Sequence, residues 1–179
     1  GVDCPDWWAC GYFIRAEVLR QVGIPTGVGI APTKTLAKVA NRVAKKQPEH
    51  GGVFVLETPA EIETVLRAMP VGDVWGIGGQ YAKLLARNGV ATAWDFTQLP
   101  ADWVRHNLTV TGARLQLELQ GIACLELEAV APPKKNICTS RSFGKMLTNF
   151  GGVSEAVANH AHRCACKLRG QGSAANVLT

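Results

Sequence analysis

The segment Gly27-Val-Gly-Ile-Ala-Pro-Thr-Lys-Thr-Leu-Ala-Lys-Val-Ala-Asn41 carries the clearest chemistry in the sequence. An apolar strand turns sharply into a helix, and Lys34 falls in the first helical turn. At about 100° per residue Lys34, Lys38, Asn41 and Lys45 line one narrow stripe, with Leu36, Val39, Ala40 and Val43 opposite. Ammonium groups beside the unpaired N–H groups and positive dipole end of a helix suit a phosphate. The chemistry this permits is charge neutralisation of an anionic substrate. The plain alternative is a solvated lysine face on an ordinary amphipathic helix.

Two further stretches carry backbone or charge chemistry of the same kind. Val74-Trp-Gly-Ile-Gly78 is a glycine-flanked turn between two helical segments. Hydrophobic–x–Gly–hydrophobic–Gly is the core of a helix-hairpin-helix, whose glycines let the backbone approach a phosphate and whose following N–H groups donate to it. The same pattern also serves as a simple tight connection. Asn136-Ile-Cys-Thr-Ser-Arg-Ser-Phe-Gly144, read as a strand, puts Ile137, Thr139, Arg141 and Phe143 on one face and Ser140 and Ser142 on the other. Metal chemistry finds little support. The six cysteines form no CxxC pair, and Cys164-x-Cys166 is one residue too short for a zinc knuckle. Reduced cytosolic thiols are the better reading.

Charge is unevenly spread. The net charge is +5, yet residues 71–130 are net acidic, while residues 131–179 hold Lys134, Lys135, Arg141, Lys145, Arg163, Lys167 and Arg169 against only Glu155. That concentration favours a polyanionic partner, against the alternative of a solvated basic surface. A hydrophobic fraction of 47% and a mean hydropathy of +0.06 describe a soluble globular protein. No apolar run approaches the roughly 20 residues of a membrane span. The opening Gly1-Val2-Asp3 is unlike a natural start, which points to a fragment or a processed piece.

The elements that must position these residues fall into three pieces. In residues 1–70, Asp6 precedes a helix whose Ile14, Val18, Leu19 and Val22 share a face and which ends near Gly23-Ile-Pro25. A strand over 26–31, the lysine helix, a second strand over 51–56 and a helix capped by Thr58 with Glu61 follow. This order implies α/β packing on a sheet that two strands alone leave incomplete. Residues 71–121 are short helices: Tyr81, Leu84 and Leu85 share a face, Gly89 stops that helix, Thr92 with Asp95 caps the next, Leu99-Pro100 ends it, and Gly121 closes the last. Residues 122–136, with Pro132-Pro-Lys-Lys135, read as a linker. In residues 137–179 the spacing predicts the strand described above and a helix from about 154 to 169 with Val153, Val157, Ala161, Cys164 and Leu168 buried. A strand then starts at Ser173.

Three motifs in this order resemble the bacterial UmuC-type branch of the Y-family translesion DNA polymerases, from about Thr26 to the end. Gly29-Ile-Ala-Pro-Thr-Lys-Thr-Leu-Ala-Lys-Val-Ala-Asn41 is similar to the family's late-palm motif. Pro70-Val-Gly-Asp-Val-Trp-Gly-Ile-Gly78 is similar to its thumb hairpin, and Ser140-Arg-Ser-Phe-Gly144 to the opening of its little finger domain. The fold implied is multi-domain α+β: a partial α/β palm, a helical helix-hairpin-helix thumb and a partial α+β little finger. The resemblance implies that Lys34 binds the triphosphate of an incoming nucleotide; Lys38 matches the same motif as a second triphosphate contact, with support of the helix or a longer-range phosphate contact as the alternatives. It implies that Gly76, Ile77 and Gly78, with Lys83, hold the DNA backbone, and that Ser140, Arg141 and Ser142 contact template or primer phosphates. Implied partners are primed or damaged DNA, a deoxynucleoside triphosphate, a sliding clamp and accessory SOS subunits, in the bacterial cytoplasm at the nucleoid.

The implied cofactor is Mg²⁺, and here the sequence departs from the family. Two-metal phosphoryl transfer needs carboxylates, which the family supplies from an early aspartate motif and a Ser-x-Asp-Glu motif, both expected upstream of Gly1. Asp3 and Asp6 match neither and read as helix caps. The expectation is therefore a piece of an error-prone polymerase that binds DNA and triphosphate without catalysis. The alternatives are a non-catalytic, structure-selective DNA-binding module and a generic phosphate-binding α/β protein.

Overall fold

The computed structural model describes residues 6–125 and 134–177, which separate into two compact units, residues 1–127 and 128–179. Among the described residues the chain is mostly helical with one two-stranded parallel sheet. No described helix is long and apolar enough to cross a membrane.

The first unit opens with α1 (Trp7–Val22), N-capped by Asp6, which accepts from the N–H groups of Trp8 and Ala9, and closed by Gly23. β1 (Val28–Ile30), α2 (Lys34–Lys46) and β2 (Val53–Val55) then form a βαβ unit with Val28 opposite Val53 and Ile30 opposite Val55. Both helices approach the strands at glycines. A Cβ on Gly11 would strike Val53 and come near Ile30, whereas one on Gly29 would collide with the backbone of Ala37 and Asn41. Because successive strand residues alternate faces, Ile30 and Gly29 put α1 and α2 on opposite sides of the sheet. The expected inward face of α1 is corrected. Ile14, Leu19 and Val22 are exposed, and the helix packs through Gly11 with Arg15 and Val18 half-buried. Two short strands offer too narrow a surface to cover a helix of 16 residues.

α3 (Pro59–Ala68) carries the anticipated capping box between Thr58 and Glu61. Beyond it the chain pairs Pro70 with Thr92, and N–H bonds from Val71 to Ala91 and from Ala93 to Met69 close the base of a loop. This loop holds a single 3₁₀ turn (Val71–Asp73), the glycine turn and α4 (Gly79–Arg87). The segment before the glycine turn is thus one turn rather than a full helix, because Pro70 leaves it only a few residues. α5 (Ala93–Thr97) has a Thr92–Asp95 capping box. α6 (Ala101–Leu119) bends at Thr109, a non-glycine residue with φ 64°. Gln116, buried on α6, donates from Nε2 to the carbonyls of Phe96 and Leu99 and so satisfies the end of α5.

One hydrophobic core runs from Leu36, Val39 and Ala40 on α2 through Leu56 and Leu66 to Ile77, Leu85, Phe96, Val104, Leu115 and Leu119. It crosses residue 70 without a break, so α2 and the glycine turn rest on the same packed interior.

The second unit is built on α7 (Phe150–Gln171), N-capped by Asn149 and ended by Gly172. Residues 134–145 form no strand, which corrects the expected one. With no partner strand among the described residues there is no ladder, and extended chain lies along α7 instead. Lys134 and Gln171 exchange hydrogen bonds, and Thr139 meets His160 and Cys164. The predicted stripe on α7 is also corrected. Val153 and Val157 are exposed, and the half-buried face is Gly152, Ala156, His160, Cys164 and Leu168, offset by one residue in its first turns. Residues 173–177 form no strand either. Most of the expected linker, like Asp3, lies outside the described residues.

Candidate nucleotide and nucleic-acid interface

Lys34 is the first residue of α2 and is half-buried. The turn it opens is not bare. Thr33, the N-cap, accepts from the N–H of Leu36 at 3.2 Å, and its carbonyl accepts from Ala37. The N–H of Thr35 donates to Glu118 Oε2 at 3.0 Å. The expected row of unpaired N–H groups is thus corrected at Thr35 and Leu36, whose N–H groups the protein's own carboxylate and hydroxyl take. What remains cationic there is the Lys34 side chain.

Glu118 is fully buried at the end of α6. Its Oε1 accepts from Cys124 and Leu125 at 2.6 and 3.0 Å, and its carbonyl accepts from the Thr33 hydroxyl at 2.8 Å. Burial pushes its carboxyl upward, but the N–H groups of Cys124, Thr35 and Leu125 outweigh that and hold it below the usual glutamate range. Sequence reasoning missed this residue. Its signal was a charge on the buried stripe of α6, between Leu115 and Leu119.

Lys38 of the stripe, with its neighbours Arg42 and Lys46 on α2, meets the segment that leads into the glycine turn. Lys38 is exposed, and its Nζ lies 5.2 Å from the centre of the Trp75 ring. Arg42 and Lys46 pair with Asp73, whose carboxyl the Arg42 guanidinium holds below the ordinary range. Asn41 donates to the carbonyl of Gly27. Lys34 and Lys38 therefore share one helix that is bound to the segment leading into Gly76.

In the turn, Gly76 has φ +97°, open to glycine at little cost. Ile77 is buried and its N–H donates to Val74, so it anchors the turn. Gly78 is the N-cap of α4, offers no side-chain cap, and has open space where a Cβ would stand. The first N–H groups of α4 consequently point past two exposed glycines. Lys83 is exposed one turn farther along that helix.

In the second unit Ser140, Arg141 and Ser142 are all exposed. Arg141 and Ser142 line a pocket of about 240 Å³ with Asn159, His160 and Arg163. Ser140 borders a wider one of about 570 Å³ with His162, Arg163 and Lys167. Among the described residues no three His, Cys, Asp or Glu side chains are grouped to hold a metal ion.

Residues 134–179 match the impB/mucB/samB family C-terminal domain. Protein UmuC of Salmonella typhimurium is 42% identical over 170 residues, which are 94% of this chain and 40% of that protein. Protein MucB of Escherichia coli is 38% identical over 171 residues, 96% of this chain and 41% of that protein. The chain thus spans about two fifths of the length of these curated relatives. DNA polymerase IV 2 of Bacillus subtilis is 32% identical over 110 residues, 61% of this chain and 26% of that protein. Among solved structures, a Dbh ternary complex is 24% identical with a TM-score of 0.48, covering 64% of this chain and 33% of that one. The chain is thus similar along nearly its whole length to UmuC and MucB, and its residues 134–179 carry the impB/mucB/samB family C-terminal domain.

Proposed function

We propose that the chain is the late palm (1–70), thumb (71–121), linker (122–136) and opening of the little finger (137–179) of an error-prone, template-directed DNA polymerase that extends primers across damaged bases. The observation that carries this reading is the bond between α2 and the glycine turn. One helix begins with Lys34 and meets, through Lys38, Arg42 and Lys46, the segment at Asp73 and Trp75 that leads into Gly76–Gly78. A cation for a triphosphate and a backbone cradle for a DNA phosphate would then act from one rigid body.

In this reading Lys34 neutralises charge on the triphosphate, and its flexible ammonium follows that charge during transfer. The N–H groups after Gly78 and the side chains of Lys83, Ser140, Arg141 and Ser142 hold DNA phosphates. Such contacts fix register without reading bases, which suits the copying of damaged templates. In this reading the carboxylates that hold the family's Mg²⁺ belong to an acidic segment of a parent enzyme. The chain alone binds DNA and triphosphate without catalysis. A sliding clamp and accessory SOS subunits are further partners of that parent, at the nucleoid of the bacterial cytoplasm.

The test is Lys34→Ala in the parent enzyme. Loss of a charge-assisted contact is expected to raise the apparent KM for nucleotide by roughly 10- to 100-fold, with the Kd for primed DNA within about twofold. Equal losses in both would overturn the triphosphate role. A parent that binds primed DNA but adds no nucleotide would leave a non-catalytic, structure-selective DNA-binding module.

A further inference from the structure

A helix that meets a phosphate end-on leaves its first N–H groups pointing outward. α2 does not. Its Thr35 and Leu36 N–H groups are taken by Glu118 and Thr33. The carboxylate comes from α6, 83 residues later in the chain, and is fully buried. Its second oxygen binds Cys124 and Leu125, where the chain leaves α6. The Thr33 hydroxyl returns a bond to the Glu118 carbonyl. The first turn of α2, the last turn of α6 and the exit from α6 are therefore fastened at one point, and Lys34 stands between the two threonines of that fastening.

We propose that Glu118 is a positioning residue for the nucleotide site: it fills the α2 amino terminus and so fixes where Lys34 presents its ammonium. The inference rests on the assignment of Lys34 to the triphosphate. By filling the helix end, Glu118 excludes end-on docking of a phosphate and leaves binding to the lysine on the flank. By binding Cys124 and Leu125 with its other oxygen, it makes the position of Lys34 depend on the path of the chain beyond α6. A neutral amide cannot do both. Glutamine keeps one acceptor oxygen, and its NH₂ group then faces either the Thr35 N–H or the Cys124 and Leu125 pair.

The experiment compares Lys34→Ala, Glu118→Gln and the double variant in the parent enzyme, measuring apparent KM for nucleotide, kcat and Kd for primed DNA. Glu118→Gln is expected to raise KM on the order of tenfold through misplacement of Lys34, with DNA affinity within about twofold. The double variant is expected to be no worse than Lys34→Ala alone, because Glu118 acts through that lysine. Multiplying effects, or an unchanged KM in Glu118→Gln beside a raised one in Lys34→Ala, would overturn the inference and leave the lysine assignment standing. An unchanged KM in Lys34→Ala would remove both. Should the glutamine variant not fold, Glu118→Asp keeps the charge with a shorter reach. It is expected to show a smaller KM rise with the same lack of additivity, and additive effects would again overturn the proposal.

Discussion

A carboxylate sealed among apolar side chains stays ionised only where donors surround it. Glu118 has three N–H groups on its two oxygens, and they hold its carboxyl below the usual range against the pull of burial. A group whose folded pKa is depressed adds stability that is fully present above its unfolded value and is lost as pH falls through the folded one. Glu118→Gln is therefore expected to be less stable than the parent sequence near neutral pH, by about 1–3 kcal/mol for the N–H left unsatisfied. The gap should begin to narrow as pH falls below about 4.5, the ordinary glutamate value, and close as it falls through the lower folded one. Denaturant unfolding at several pH values checks this. All five tryptophans lie within residues 1–127, so their fluorescence follows that unit alone. A gap independent of pH would mean that the charge is not what the three donors hold. At this scale the lysine stripe was legible and its partners were not. Periodicity puts Lys38 on a polar face, but only the fold brings Trp75 beneath it.

Elements were legible wherever the backbone announces itself. The caps at Asp6, Thr58 and Thr92, the stop at Gly23 and the βαβ order follow from short polar residues, capping boxes and glycine positions. The misses have a common physical origin, since a strand is defined by its neighbour. Residues 137–143 alternate like a strand, yet with no partner strand among the described residues they lie along α7 without regular structure. The same shortage of sheet shifts the packed face of α7 and leaves Phe13, Ile14 and Val22 of α1 exposed. The glycine turn bears on function at this scale. Gly76 needs its positive φ, whereas Gly78 has an ordinary φ of −76° and open space around a notional Cβ. Gly78→Val is expected to leave thermal stability within about 0.5–1 kcal/mol of the parent sequence. It should weaken binding to primed DNA severalfold, because the new side chain shields the first N–H groups of α4. A collapse of stability would instead make Gly78 a structural residue.

For the whole molecule, the two units differ in what holds them. The first has a continuous core from Leu36 to Leu119, while no described residue of α7 is buried. Charge follows the opposite order. Residues 131–179 carry more than the molecule's net excess of positive charge, and Arg141, Arg163 and Lys167 border the pockets beside Ser140–Ser142. That imbalance was plain in the sequence because it needs no fold to be counted. In the proposed role, a lightly packed, basic unit would contribute to DNA binding mainly through counterion release, which is insensitive to base sequence and steep in salt. Arg141 is exposed, so its removal is expected to cost little stability. Arg141→Ala should weaken binding about equally across DNA sequences. On a duplex it should flatten the dependence of log K on log salt by about 0.9, the share of one phosphate contact. Titrations of primed DNA at four or five salt concentrations give both quantities. An unchanged slope would take Arg141 out of the interface, and loss confined to particular sequences would make it a reader of bases rather than a holder of phosphates.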